Sequence, residues 1–324
     1  MNDAYADISA RYSRFAADEA YGKSPLYEDW ARRVAGDPVA LAYLSELPRD
    51  KQQPNLLLAA IKYLHGTPRG WDEFRSLIRQ HGDQIAGIMR AQSTQTNVPE
   101  RCATLLPLLA HLKQPLALLE VGASAGLCLL PDYYAYRYDG HPVPPTRAST
   151  AQPPTLACRA SPRTPLPVRG IEVSWRAGLD SDPIDVNDDD QIAWLEALIW
   201  PGEPDRLTNL RASLAIARRE LPRIVRGDLR ADLARLAAEA PRDATLVVFH
   251  TAVLAYVENR EDRAAFARTV RELGATWISN EAAGVFPDIS RKASRRGPPH
   301  HALLSLNGDP IAWTDLHGAS IEWL

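Results

Sequence analysis

Leu116–Gly126 reads LALLEVGASAG. Its first six residues, LALLEV, are apolar apart from Glu120, with no alternation of apolar and polar positions. A short continuous apolar run of that kind suits a strand buried on both faces of a parallel sheet. Gly122 lets the chain turn sharply where the strand stops. The small residues Ala123 and Ser124 let a ligand approach the backbone, and Gly126 permits close helix–strand packing. The stretch therefore predicts a buried strand, a tight turn and a helix whose first backbone N–H groups face a nucleotide-like ligand.

Downstream, short apolar runs alternate with amphipathic segments. The runs are IEVSW (171–175), RIVRG (223–227), TLVVFH (245–250) and ATWIS (275–279). Between them, Asp188–Trp200 repeats Ile192, Leu195 and Ile199 at helical spacing, with an acidic start that suits the helix dipole. Leu207, Leu210, Leu214 and Ala217 form a second stripe, and Ala231–Ala240 and Asp262–Leu273 read as further helices. Strand and helix in alternation imply a parallel sheet covered by helices. The end of the chain, HALLSLNGDPIAWTDLHGASIEWL, reads as two or three strands joined by turns at Asn307-Gly308-Asp309-Pro310 and His317-Gly318. An α/β domain of parallel strands ending in an antiparallel hairpin is thus predicted over 114–324.

Upstream, residues 1–113 read as helices. Ser24-Pro25 and Asp37-Pro38 each put a capping oxygen before a proline suited to the first helical position, and Gly36 falls at a helix stop. PNLLLAAIKYLHG, the segment opening at Gly70-Trp71, and PERCATLLPLLAHL from Pro99 carry further apolar faces. This half is expected to be a helical subdomain closing the substrate side. Residues 141–170 hold many of the chain's 26 prolines, four arginines and no acid; they are expected to form a long loop or insertion. Tyr133, Tyr134, Tyr136 and Tyr138 are expected to pack beneath it.

The chain has 324 residues, 45% hydrophobic and 24% charged, with a formal net charge of −3. That balance is globular and makes nucleic acid an unlikely main partner. The N-terminal stretch shows no apolar signal core and no run has membrane-spanning length, so no membrane association is expected. Three widely spaced cysteines, Cys102, Cys128 and Cys158, give no disulfide framework or metal knuckle, which suits a cytoplasmic protein with no metal.

Glu120-x-Gly122-x-Ser124-x-Gly126 resembles the first motif of class I methyltransferases, acidic-x-Gly-x-Gly-x-Gly, with serine in the middle glycine place. The overall order of elements resembles that Rossmann-like fold as well. The resemblance implies S-adenosylmethionine as cofactor. Glu120 would bind the ammonium of its methionine part, a partner that suits a carboxylate where a pyrophosphate does not. Ligands of such sheets sit beyond the carboxyl ends of the strands. Asp180, with Asp182 in reserve, would then receive the ribose hydroxyls. Asp228 would accept from the adenine amino group, with Leu229 against the ring. His250 would take a proton from the methyl acceptor. Asn280 and Glu281 follow the next strand as a substrate-orienting residue and a second catalytic candidate. Gln95 and Asn97 would close the substrate pocket, and a small molecule is the expected substrate.

Gln95-Thr-Asn97, Arg101-Cys102, LLEVGASAGL, GLDSDPIDV, WLEALIWP, GDL, VVFHTAVLAYV, WISNEA and AWTDLHG together resemble, over most of the chain, a bacterial family known only as a domain of unknown function. That family usually has Asn at the place of Cys128 and Glu at the place of Val98 or Pro99. It implies a methyltransferase-like fold and supplies no reaction.

Two other readings compete. Gly122-x-Ser124-x-Gly126 also fits the G-x-S-x-G nucleophile elbow, with Ser124 as nucleophile, Asp228 or Asp243 as acid and His250 or His317 as base. Against it, no strands and no HGGG-type segment precede the turn. A ligand-binding protein without turnover on the same scaffold is the other reading. Finally, the basic run Arg291-Lys292-Ala-Ser-Arg295-Arg296 would attract an acidic substrate or form a solvated loop.

Overall fold

A computed structural model describes residues 3–95, 97–149 and 152–324. Thr96, between the two pocket candidates Gln95 and Asn97, and positions 150 and 151 of the proline-rich segment lie outside the described residues. The helices are α1 (Asp3–Arg14), α2 (Pro25–Gly36), α3 (Pro38–Ser45), α4 (Pro54–His65), α5 (Trp71–Ala91), α6 (Arg101–Leu109), α7 (Asp189–Leu198), α8 (Pro204–Glu220), α9 (Leu233–Ala237), α10 (Arg260–Glu272) and α11 (Pro287–Ser290). The strands are β1 (Leu116–Val121), β2 (Ala135–Tyr138), β3 (His141–Val143), β4 (Thr155–Ala160), β5 (Val173–Asp180), β6 (Arg223–Arg226), β7 (Thr245–Thr251), β8 (Thr276–Ala282), β9 (His301–Leu306), β10 (Asp309–Asp315) and β11 (Ser320–Trp323). No helix among the described residues is long and apolar enough to cross a membrane.

The chain divides into two compact units. The first joins the described residues before Asn97 to Asp188–Leu207. Its helices start where capping chemistry places them. Asp37 Oδ1 accepts from the N–H groups of Val39 and Ala40, and Ser24 Oγ accepts from Tyr27 N–H. Each cap satisfies donors that the first helical turn leaves without partners. The core includes Trp30 and Phe74, whose rings lie 4.9 Å apart. Asp188–Trp200 was expected to flank the sheet; instead α7 packs into this helical unit. Trp194 is buried in its core, and the indole Nε1–H donates to Ser93 O at 2.9 Å. The helical periodicity of α7 is right, but a stripe does not say which neighbour buries it.

The second unit, Asn97–Asn187 with Thr208–Leu324, holds one sheet of eleven strands in the order β3-β2-β4-β11-β10-β9-β8-β7-β1-β5-β6. Strands β6, β5, β1, β7 and β8 run parallel, and β9, β10 and β11 continue as an antiparallel meander. All six residues of β1 are buried, as its unbroken apolar run requires. From β1 the chain first runs to β2, β3 and β4 at the far edge of the sheet, then comes back to lay β5 and β6 on one side of β1 and β7 and β8 on the other. The crevice between β1 and β7 is therefore the switch point where open α/β sheets bind ligands.

Two expectations are corrected here. The turn after β1 does not open an α-helix: it runs into single 3-10 turns at Leu127–Leu129 and Pro131–Tyr133. The proline-rich segment is not simply a loop, because β3 and β4 lie within it and β4 pairs with both β2 and β11. Prolines punctuate the segment, and its strands fit between them. The tyrosines before it are buried: Tyr134 donates to Leu127 O, Tyr136 to Pro131 O and Tyr138 to Ala103 O.

Candidate functional site

The turn after β1 bends through left-handed backbone at Gly122, Ser124 and Gly126, with φ of 72°, 48° and 70°. Glycine adopts that region freely, whereas serine does so at a cost of about 1 kcal/mol. Gly122 is further constrained by its neighbour. A β-carbon there would lie 2.3 Å from Val253 Cγ2, a side chain of the segment after β7. At Gly126 a β-carbon would meet Ile224 of β6 at 2.7 Å, so the close approach here is to a neighbouring strand and not the helix–strand packing expected from the sequence.

Every backbone N–H from Gly122 to Gly126 has an acceptor within the protein. Gly122 N–H and Ala123 N–H donate to Leu179 O, Ser124 N–H to Asp180 Oδ2 at 2.7 Å, Ala125 N–H to Asn97 Oδ1 at 3.1 Å and Gly126 N–H to Ala123 O. Asn97 also donates from Nδ2 to Ser124 Oγ at 2.9 Å. The turn is thus clamped by Asp180 from β5 and Asn97 from the segment before α6. The expected row of free N–H groups is not there, and neither is the helix whose dipole would reinforce it.

Glu120 lies beneath this turn, 4% exposed, and its Oε2 has no hydrogen-bond partner. Burial pushes its carboxyl well above the ordinary glutamate value; Cys128 and Asp180 push the same way, and Arg101 opposes them. Arg101, at the start of α6, is itself buried. It donates from Nη1 to Thr251 O and Oγ1 and from Nε to Leu316 O, tying α6 to the ends of β7 and β10. The sequence reading gave Arg101 no role; its one signal was an arginine opening the otherwise apolar helix RCATLLPLL. The cysteines are free thiols, all buried.

Asp180 accepts from Ser124 N–H with Oδ2 and from Asp182 N–H with Oδ1. Each oxygen keeps a lone pair for a further donor. Asp182 pairs instead with Arg226. Asp228 is engaged by a neighbouring arginine. Its two oxygens accept from Arg230 Nε and Nη2, and Arg230 also reaches Asp262. The Arg230 bond overcomes the effect of burial and holds the Asp228 carboxyl down at about 2. Leu229, half-buried, packs against the apolar core on its side of the sheet.

His250 is fully buried, and both ring nitrogens are bonded. Trp277 Nε1–H donates to its Nε2 at 3.1 Å, and its Nδ1 lies 2.7 Å from Glu281 Oε1. An indole only donates, so Nε2 carries the lone pair and Nδ1 carries the proton given to Glu281. Phe266 and Phe286 close the ring in. His250 is therefore placed as a locked bridge between β7 and β8, with no nitrogen left for a substrate proton. Glu281 Oε1 also accepts from the N–H groups of Val253 and Leu254 at 2.9 and 3.0 Å, so this carboxylate holds the segment that covers Gly122. Burial would raise its carboxyl, but the His250 bond and those two N–H groups outweigh it and keep the carboxyl below its ordinary value. Asn280 Oδ1 accepts from Thr314 Oγ1 in β10, and its backbone oxygen accepts from Ala252 N–H. Its Oδ1 thus serves to link β8 to β10. Gln95 belongs to the helical unit and is half-buried there.

Of the sequence candidates, the structure gathers Glu120, Gly122, Ala123, Ser124, Gly126, Asp180 and Asn97 at the carboxyl end of β1. His250, Glu281, Trp277 and the Val253-Leu254 backbone form a second cluster that braces this end. The elbow arrangement is not assembled from His250, whose partners are Glu281 and Trp277, or from Asp228, whose partner is Arg230.

The profile of one bacterial family, described as an uncharacterized protein conserved in bacteria (DUF2332), matches residues 9–323, and the chain belongs to that family. Neither the curated proteins nor the solved structures give a significant match.

Proposed function

We propose that this DUF2332 member binds S-adenosylmethionine at the carboxyl end of β1 and transfers its methyl group to a small molecule. The observation that carries the reading is the pairing of a bare, buried Glu120 carboxyl with a turn whose N–H groups are all taken. A pyrophosphate needs free N–H donors and finds none between Gly122 and Gly126. A cofactor that presents donors, an ammonium and ribose hydroxyls, suits Glu120 and Asp180. The parallel strands β6-β5-β1-β7-β8, followed by antiparallel ones, support the Rossmann-like methyltransferase arrangement.

In this reading Glu120 Oε2 would accept from the ammonium, its own proton passing to solvent. Asp180, already fixed by Ser124 N–H, would accept from a ribose hydroxyl with its remaining lone pairs. When bound, the cofactor supplies an electrophilic sulfonium methyl. The chain supplies orientation: Asn97 and Asp180 hold the turn, and Glu281 holds Val253 against it. Catalysis then comes from proximity and alignment, and His250 moves no proton.

Calorimetry on the full chain tests this with S-adenosylmethionine and 5′-methylthioadenosine, which lacks the amino-acid part. The wild type is expected to prefer S-adenosylmethionine by about ten-fold or more, and Glu120→Gln to lose that preference. Absence of binding at millimolar cofactor, or an unchanged preference in the variant, contradicts the proposal. The locked His250 also favours a second reading, a protein that holds the ligand without turning it over. Binding with no labelled methyl released to any acceptor across a broad panel would select it.

A further inference from the structure

The basic run noted in the sequence lies between β8 and β9, where 283–300 wall a cavity of about 890 Å³. Arg291, Arg295, Arg296, His300 and His301 line it, Trp313 forms part of its wall, and no aspartate or glutamate is among the lining residues. The segment leaves β8 at Ala282 and returns to the sheet as β9 at His301.

The wall is pinned. Trp313 Nε1–H donates to Arg295 O at 3.2 Å, and Gly297 lies so close to the Trp313 ring that a β-carbon would come within 2.3 Å of it. Lys292 Nζ binds Gly308 O and Asp309 Oδ1, both at 2.9 Å, which fixes the run to the β9–β10 turn. The guanidinium groups are thus carried on a held frame.

Their charge is only partly answered. Arg291 pairs with Asp288 and Arg295 with Glu322. Arg291 and Asp288 are both about two-thirds exposed or more, and exposed pairs of that kind contribute little, so a stronger anion displaces them. Among the described residues Arg296 has neither a carboxylate partner nor a hydrogen bond. A single carboxylate is satisfied by one guanidinium fork. A phosphate ester, with nearly two charges and three acceptor oxygens, uses several. The volume is of the size that takes a small-molecule ligand rather than a bare ion.

We propose that this cavity binds a small phosphate-bearing molecule through Arg296, with Arg291 and Arg295 released from their surface pairs to join it. The site goes beyond the methyltransferase reading and does not rest on it. With a net charge of −3 the chain as a whole does not attract nucleic acid, so the phosphate is that of a small molecule.

The test is calorimetric titration of the full chain with inorganic pyrophosphate at low ionic strength, beside citrate and a single-stranded oligonucleotide. Arg296→Ala is the test variant. Arg242→Ala, at an exposed arginine outside the cavity, is the control. Pyrophosphate is expected to bind with a Kd below about 1 mM, to weaken about ten-fold in Arg296→Ala and to be unchanged in Arg242→Ala. No binding at millimolar pyrophosphate, or equal weakening in both variants or in neither, overturns the site. Citrate binding as tightly as pyrophosphate overturns its assignment to phosphate. Tighter binding of the oligonucleotide overturns its assignment to a small molecule.

Discussion

Val253 rests directly on the α-carbon of Gly122, so the segment after β7 covers the turn that ends β1. Any side chain at 122 meets both the Val253 contact and the left-handed backbone. Gly122→Ala is therefore expected to lower unfolding free energy by about 2 kcal/mol or more, measured by urea denaturation. Adding Val253→Ala removes the clash and leaves the backbone cost, so the double variant should recover part of the loss. Strictly additive losses would show that the contact does not govern the turn.

Glu120 makes stability fall with rising pH. Its carboxyl holds a proton more tightly folded than unfolded, so the unfolded chain loses its proton first as pH climbs past the ordinary value of 4.5. The folded state then binds more protons, and stability drops as pH rises. Glu120→Gln removes this slope. Relative to the wild type, the variant should gain stability as pH rises above the ordinary value of 4.5. Parallel stability curves above that value would contradict the buried, protonated carboxyl. In the wild type, cofactor binding should also release a proton, visible as a dependence of the calorimetric heat on buffer ionisation enthalpy.

Glu281 acts with the opposite sign. Its carboxyl is held below the ordinary value of 4.5, so its stabilisation is present above that value and is lost as pH falls through the folded value. Glu281→Gln weakens three hydrogen bonds to one oxygen and should cost about 1–3 kcal/mol near neutral pH. The penalty should shrink toward pH 4 and below. A penalty independent of pH would mean that packing, not the ionised carboxylate, braces the Val253 segment.

Asp180 and Asp228 separate in their expected effects on S-adenosylmethionine. Asp180→Asn weakens the clamp on Ser124 N–H and the acceptor offered to ribose, and should reduce affinity about ten-fold. Asp228→Asn disturbs a surface pair with Arg230 and should leave affinity within about two-fold. A larger loss at Asp228 than at Asp180 in a binding titration would restore the adenine role that the sequence suggested for Asp228.

These contrasts mark what local sequence conveys. The five parallel strands and the closing meander were legible because their apolar runs and turn residues are local signals. So were the caps at Ser24 and Asp37, where one side chain and one proline decide the start of a helix. The home of α7 was not legible, because Trp194 announces burial without naming its neighbours. β4 was hidden because proline density argues against strands and its pairing partners, Tyr136 and Ile321 among their neighbours, are remote in sequence. At the site, the place of Glu120 and Gly122 at the end of β1 was readable from type and spacing. His250 was not, since the same histidine at a strand end serves as a base or as a bridge, and only Trp277 and Glu281 decide between them. Asp228 differed for a similar reason: Arg230, two residues on, captures it.

The cofactor site is tested most directly by ultraviolet cross-linking of methyl-labelled S-adenosylmethionine to the full chain, followed by peptide mapping. Label should enter the peptide that contains Glu120–Gly126, fall when unlabelled S-adenosylmethionine is in excess, and persist in excess NAD. Absence of specific label, or label competed equally by NAD, would contradict cofactor binding at the end of β1.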